Sequence, residues 1–334
     1  MAIILRIIGI ALRHKWRLAS AYLCMAGAVV AYLLLPRFFG EVIDTLFEVF
    51  KDGSVDDFPE NEIIVIALII LALGLIRGVL TFFQTYLGES LSQFVAYDIR
   101  NAFFDHVQRL SFEFHDQHHT GNLMSRAITD VENIRMFINM GLVRTPYFLS
   151  LFVIVAIILL RLDWQLGLLS ASFMPVVALH SGVIRLKMRQ IWLRVQEKMA
   201  ELSTILQENL TGVRVVRAFA SEAYEEEKFD AKNLDVSDET IEAERLRASN
   251  TSFTLFSFLV ALGLSLWFGG WLQINDRMSL GELAQFIIYM QILAMPVRMT
   301  GWLVNNFARA TAAGQRLFEI LDTESPVRES ATAR

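Results

Sequence analysis

Three arginines, Arg77, Arg144 and Arg298, fall within or at the edge of long apolar stretches. A lipid-facing arginine at bilayer depth costs about 2.5–3.5 kcal/mol on insertion scales. Each must therefore face protein or a wet cavity. Guanidinium pairs bidentately with phosphate or carboxylate, so the three read as a basic ring for an anionic group on a substrate. The rival reading is that they snorkel to the surface or pair with acids such as Glu89 and Asp98. Gln84, Tyr147, Tyr289, Gln291, Met295 and Met299 have types that suit a permissive pocket, methionine being flexible and soft. Ordinary helix packing accounts for the same residues. His115, Asp116, His118 and His119 have a spacing that could place imidazoles on one helix face, as in a metal site. The reading preferred here is a polar, exposed short helix without metal. Cys24 is the single cysteine and lies in an apolar stretch, which excludes an intrachain disulfide and argues against zinc or redox chemistry. No catalytic residue is expected.

The elements that hold these residues are membrane spans. Hydrophobic residues make up 54% of the 334-residue chain and its mean hydropathy is +0.44. The apolar residues are concentrated in stretches of about 20, enough to cross a bilayer core of about 30 Å. The spans predicted are Leu18 to Phe39, Ile63 to Tyr86, Leu142 to Leu160, Leu166 to Ile184, Phe253 to Leu272 and Leu283 to Val304. Ala2 to Lys15 reads as an amphipathic helix in the membrane surface, and no secretory cleavage site follows it. Most of the 30 lysines and arginines lie on one side of this topology, including Arg6, Arg13, Lys15, Arg17, Arg185, Lys187, Arg189, Arg194 and Lys198. By the positive-inside rule both termini are cytoplasmic. The Glu225-Glu226-Glu227 run reads as a solvated helix face.

The outer turns are short: Arg161 to Trp164, and Gln273 to Leu280. Ser279-x-x-Glu282 is a capping box that places the start of the sixth helix. The inner connections, about 55 and about 70 residues, are too long to be structureless. Val95, Ile99, Phe103, Val107 and Leu110 recur at helical spacing, as do Val195, Met199, Leu202, Leu206, Leu210 and Val213. The spans should therefore continue as helical stalks that bury one stripe. A mid-span kink is expected at Pro175.

An ordered set of motifs now resembles one family. Leu110-Ser111-Phe112-Glu113-Phe114-His115-Asp116, then Thr120-Gly121-Asn122-Leu123-Met124-Ser125-Arg126 and Asp130, is similar to the first intracellular loop of type I ABC exporter transmembrane domains, with Glu113 in place of a phenylalanine. Gln207 to Phe219, followed by Ser221-Glu222 and Phe229, is similar to the second loop. Trp164-Gln165-Leu166, Tyr289, Pro296, Ala312, Ala313, Arg316 and Leu317 to Asp322 match the opening of the fourth span and the sixth helix.

The resemblance implies an all-α membrane fold: six transmembrane helices, long helical cytoplasmic extensions (about 90–140 and 185–250) and two coupling helices. The first would comprise Phe114, His115, Asp116, Gln117, Thr120 and Gly121, with Gly121 as the break and Thr120 as a cap. The second would comprise Gly212, Val213, Arg214, Val215, Val216 and Phe219. The organisation expected is an elbow helix at 1–17, the transmembrane domain at 18–322 and, from 323 to 334, the start of a linker to a nucleotide-binding domain. The basic ring resembles that of lipid flippases in the family. None of the 18 glycines is followed by lysine, so a phosphate-cradling Walker loop is absent. ATP and magnesium would belong to a nucleotide-binding domain missing from this sequence. The family implies a second copy or a paralogous half-transporter as partner, a bacterial inner-membrane setting, and an amphipathic drug, lipid or lipid-like cargo moved by alternating access. Nothing predicts a nucleic-acid partner. A non-transporting module whose stalks bind a cytoplasmic partner, or an ion-coupled transporter, are the rivals; no acid pair lies deep in a span to support ion coupling.

Overall fold

A computed structural model describes residues 2–52 and 60–324, and for 2, 52, 296–302 and 304 the backbone only. Asp56 and Asp57 of the first outer loop lie outside the described residues, as does most of 323–334. Among the described residues there is no strand. The helices are α1 (Ala2–Ala11), α2 (Lys15–Asp52), α3 (Glu60–Gln108), α4 (Phe112–Gln117), α5 (Thr120–Ser125), α6 (Val131–Met136), α7 (Thr145–Leu162), α8 (Trp164–Ala171), α9 (Phe173–Ala218), α10 (Glu222–Ile274) and α11 (Leu280–Leu321). π-helical turns at Arg126–Asp130 and Phe137–Arg144 join α5, α6 and α7 into one rod, Thr120–Leu162. Five helical segments are long and apolar enough to cross a membrane, and α11 opens with a further apolar stretch, Leu280–Met295. The predicted continuation of spans into stalks is present: α3 has 49 residues, about 70 Å at 1.5 Å per residue.

The first span runs on past the expected end at Phe39 to Asp52, with Pro36 inside the helix. Val42, Leu46 and Phe50 keep the apolar period going there, so nothing in the pattern stops the helix. The fourth span is interrupted at Ser172, between α8 and α9. Pro175 has no N–H for the Ala171 carbonyl, and its ring crowds that carbonyl. The break therefore falls just ahead of the proline.

The chain forms two compact units, residues 1–164 with 269–334, and residues 165–268. In the first, the inner half of α3 buries Leu91, Val95, Ala96, Ile99 and Phe103 against α1, α6 and the end of α11. This is the stripe predicted for that stalk. The elbow helix buries Ile4, Ile7 and Ala11 in the same core and exposes Leu5, Leu12 and Trp16. At the other end, α2 and α11 meet through glycines. A Cβ on Gly40 would stand 2.7 Å from the Gly281 carbonyl oxygen. Asp44 accepts hydrogen bonds from the Ser279 hydroxyl and the Gly281 N–H, each 2.7 Å. The predicted capping box is formed: Glu282 N–H donates to Ser279 Oγ (2.9 Å), and Ser279 N–H donates to Glu282 (3.0 Å).

The last turns of α11 are tied to several elements. Arg316 makes a bidentate pair with Asp130, its Nε donating at 2.9 Å, and Asp130 is 3% exposed. Arg126 donates to the Arg316 carbonyl (2.9 Å). Arg6 grips Asp322 through two bonds of 2.6 and 2.7 Å and stacks on Phe318. The Arg6 hydrogen bond, with added attraction to His106, holds the Asp322 carboxyl below its ordinary value of 3.8. A lowered carboxylate contributes stability above its unfolded pKa and loses it as pH falls through the folded one. Arg6→Gln is therefore expected to flatten the acid limb of a thermal-stability profile below about pH 4, with little change in slope above pH 5. An unchanged acid limb would show that this clasp adds nothing.

In the second unit, Ile191 and Val195 of α9 pack on Ala243 and Leu246 of α10. Arg194 bridges Glu239 and Glu242, and Lys232 bridges Glu201, across the same two helices. Pairs this exposed contribute little each. The predicted α9 stripe is only partly buried. Val195 is inside and Leu202 half-buried, whereas Met199, Leu206, Leu210 and Val213 are exposed. Val195 and Val213 lie about five turns apart on one face of α9, and the packing on α10 at Ile191 and Val195 does not bury that face as far as Val213.

Candidate substrate cavity and coupling segments

The cavity residues predicted from the sequence fall in the first unit. Arg77, on α3, lies with its guanidinium carbon 3.6 Å from the ring centroid of Tyr32 on α2. Glu89 and Asp98 do not pair with Arg77. Glu89 binds Arg135 (3.0 Å) and Asp98 binds His14 (2.8 Å). The basic charge at Arg77 thus lies on the Tyr32 ring and has no acid partner among the described residues.

Gln291 and Met295 stand one turn apart on α11, and both are exposed, so they face open space. Gln84 is 7% exposed and lies inside the helix bundle. Tyr289, likewise buried, donates its hydroxyl to the Leu33 carbonyl at 2.5 Å, so its role is to tie α11 to α2. Arg144 ends the second π-helical segment and is half-buried. The side chains of Arg298 and Met299 lie outside the described residues. Tyr32 was not legible as a site residue. The one signal is its place four residues before Pro36.

At the stalk tips, α4 is a six-residue helix isolated by a turn at Arg109–Ser111 and by extended residues His118 and His119. It carries Phe114, His115, Asp116 and Gln117 as predicted. Thr120 and Gly121 belong to the next helix. The cap residue there is His119, and it makes no side-chain cap bond. Two successive extended residues make the break, so Gly121 is not needed for it. The imidazoles are occupied locally. His115 Nε2 donates to the Val107 carbonyl (3.2 Å), and His118 Nδ1 donates to the Phe114 carbonyl (2.9 Å) while its ring stacks on Phe114. Among the described residues no three potential ligands converge on a metal position.

Gly212, Val213, Arg214, Val215 and Val216 do not form a separate helix. They are the last turns of α9, with Phe219 as its C-cap. The reversal comes at Ala220, whose φ is 49°. Val215 and Phe219 are exposed, and Phe219 is 78% accessible. A Cβ on Gly212 would meet nothing within 4 Å in this chain. Leu206, Leu210, Val213, Val216 and Phe229 line an apolar groove of about 310 Å³ with Glu222, Glu225 and Glu226 at its rim.

Helices long and apolar enough to cross a membrane, several of which run on well past bilayer length, define a multi-span membrane domain. The chain belongs to the ABC transporter transmembrane region family, which matches residues 18–297. It is a multi-pass membrane protein with the all-α fold of ABC exporters. An ATP-dependent lipid A-core flippase of Syntrophus aciditrophicus is 28% identical over 330 residues, covering 96% of this chain and 52% of that protein. The Bacillus subtilis ABC transporter ATP-binding protein YknU is 28% identical over 267 residues, 78% of this chain and 45% of that protein. A second Bacillus subtilis ATP-binding/permease protein, whose name refers to multidrug export, is 26% identical over 291 residues, 86% of this chain and 50% of that protein. The chain spans about half the length of these relatives.

Proposed function

We propose that this chain is the substrate-translocating half of an ATP-driven exporter that moves an amphipathic lipid-like molecule with an anionic headgroup. Arg77 carries the proposal: a guanidinium at the depth of the second span, stacked on the Tyr32 ring and without a carboxylate partner among the described residues. A charge placed there is costly, and an anion on the substrate would offset that cost through charge-assisted hydrogen bonds. Gln291 and Met295, exposed on α11, would face the same pathway.

The stalks give the drive. In this reading a nucleotide-binding domain, which holds ATP and magnesium, engages α4 and the end of α9. Motion of that domain would travel along α3 and α9 as rigid rods. A second copy or a paralogous half-transporter completes the pathway, and both termini face the cytoplasm of a bacterial inner membrane. The uncovered stripe at Met199, Leu206, Leu210 and Val213 supports a partner at the α9 stalk. A module whose stalks bind a partner without transport is separated from this by one outcome: no ATP-dependent substrate movement in vesicles carrying the full-length protein.

The cavity reading is tested on the chain in nanodiscs of zwitterionic lipid by calorimetric titration. Arg77→Ala is expected to weaken dodecyl phosphate at least about tenfold, the loss of a hydrogen bond to a charged group. The neutral dodecyl maltoside should bind nearly as before. Equal losses for both amphiphiles would sink the anion reading.

A further inference from the structure

Arg77 is aimed by a residue outside the set of basic and polar positions discussed so far. We infer that Tyr32 is a positioning residue that fixes the direction of the Arg77 guanidinium and so sets the preference for an anionic headgroup. The inference rests on the reading of Arg77 as the substrate's anion partner, and its test separates the two.

The geometry is that of a stack. The guanidinium carbon is 3.6 Å from the Tyr32 ring centroid, well inside the roughly 6 Å range of a cation–π contact. Stacking uses the face of the guanidinium. Its five N–H donors lie in its plane and point outward, away from the ring. An arginine side chain carries about 2 kcal/mol of rotamer entropy. Parking its head on a ring removes much of that before a ligand arrives, so less is lost on binding.

Tyr32 is itself anchored. Pro36 lies four residues on in α2 and has no N–H for the Tyr32 carbonyl. The adjacent Leu33 carbonyl takes the Tyr289 hydroxyl at 2.5 Å instead. A side-chain bond from α11 therefore holds α2 at the point where the proline weakens it. The aromatic platform belongs to a backbone pinned from two sides, and a small shift of α2 against α11 would re-aim Arg77. Tyr289 and Tyr32 thus link the substrate charge to the helix pair that also meets at Gly40 and Gly281.

The test uses the chain in nanodiscs of zwitterionic lipid, with dodecyl phosphate and dodecyl maltoside as probes. Tyr32→Phe keeps the ring and is expected to leave the ratio of the two affinities within about twofold. Tyr32→Leu removes it and should lower that ratio about fivefold, the size of a partly desolvated cation–π contact. Tyr32→Met, which fills space without a ring, should match the leucine variant and serves if leucine impairs folding. An affinity ratio for Tyr32→Leu and Tyr32→Met equal to that of the wild type, with Arg77→Ala still damaging, overturns the inference and leaves Arg77 as the anion partner. A loss in Tyr32→Phe as large as in Tyr32→Leu also overturns it, because the hydroxyl and not the ring would then matter. No effect of Arg77→Ala removes both the inference and the reading beneath it.

Discussion

Arg316→Ala should be the most damaging single substitution at the inner end of the molecule, costing about 3–5 kcal/mol. The variant leaves Asp130 buried at 3% exposure without its guanidinium. Asp130→Ala should cost clearly less, although it breaks the same pair. The Arg316 side chain is 49% exposed, and a freed guanidinium there can turn to water. The asymmetry follows from which charge is stranded, since an unpaired buried ion carries most of the penalty. Removing both partners should recover a large part of the arginine loss, because no buried charge remains. Thermal melting of the three variants in detergent micelles measures this directly. A loss in Asp130→Ala as large as in Arg316→Ala would falsify the burial argument. The same variants bear on transmission. The end of α11 is held to the rod from Thr120 by this pair and by Arg126. A chain that loses the pair should show a broader spread of spin-label distances between Gln117 and Thr323.

The parts of the fold that were legible depend on local chemistry alone. Ser279 and Glu282 announce a capping box through their own spacing, and the bonds are formed. The stripe from Val95 to Leu110 is buried, Val107 partly, in a core shared with α1, α6 and the end of α11. Both patterns are readable since each residue's partner is near in sequence or is a generic apolar surface. The misses share another cause. Met199 and Leu210 have helical spacing no different from Val195, yet they stay exposed. Periodicity reports that a face is apolar and says nothing about what covers it. Similarly, Gly212 to Val216 look like a loop motif, but one glycine costs a helix interior only about 1 kcal/mol, and the helix continues to Ala218. The chain turns at Ala220, a non-glycine residue with positive φ that no turn signal marks.

The candidate site was half legible for the same reason. A charge within an apolar run is conspicuous, so Arg77 stood out. Tyr32 is an aromatic residue in an apolar run, which is ordinary, and only the stack in three dimensions singles it out. Gln84 stood out for its polarity within a span, and only the structure shows that its amide is buried.

Gly281→Val is the second substitution with a large expected effect, at the far end of α11. Ordinary overpacking costs about 1–3 kcal/mol because side chains give way. Here the neighbour is backbone. A Cβ on Gly281 would overlap the Gly40 carbonyl oxygen and the Asp44 carboxylate, and no rotamer relieves that. The two helices must part. Parting them also removes the bonds from Ser279 and Gly281 to Asp44. The cost should therefore reach about 3 kcal/mol or more. Gly74→Ala and Gly78→Ala are the controls. A Cβ at either position meets nothing within 4 Å, and an alanine inside α3 should stabilise the helix by up to about 1 kcal/mol. The change should also be visible locally. Gln285, which packs against Gly40 through its Cβ, becomes a reporter when replaced by cysteine. In Gly281→Val its labelling by a water-soluble maleimide should quicken several-fold, while a cysteine at Ala313, buried at the other end of α11, should keep its rate. Faster labelling at both positions would mean general unfolding. No change at Gln285 would mean that α2 and α11 do not depend on the glycine contact.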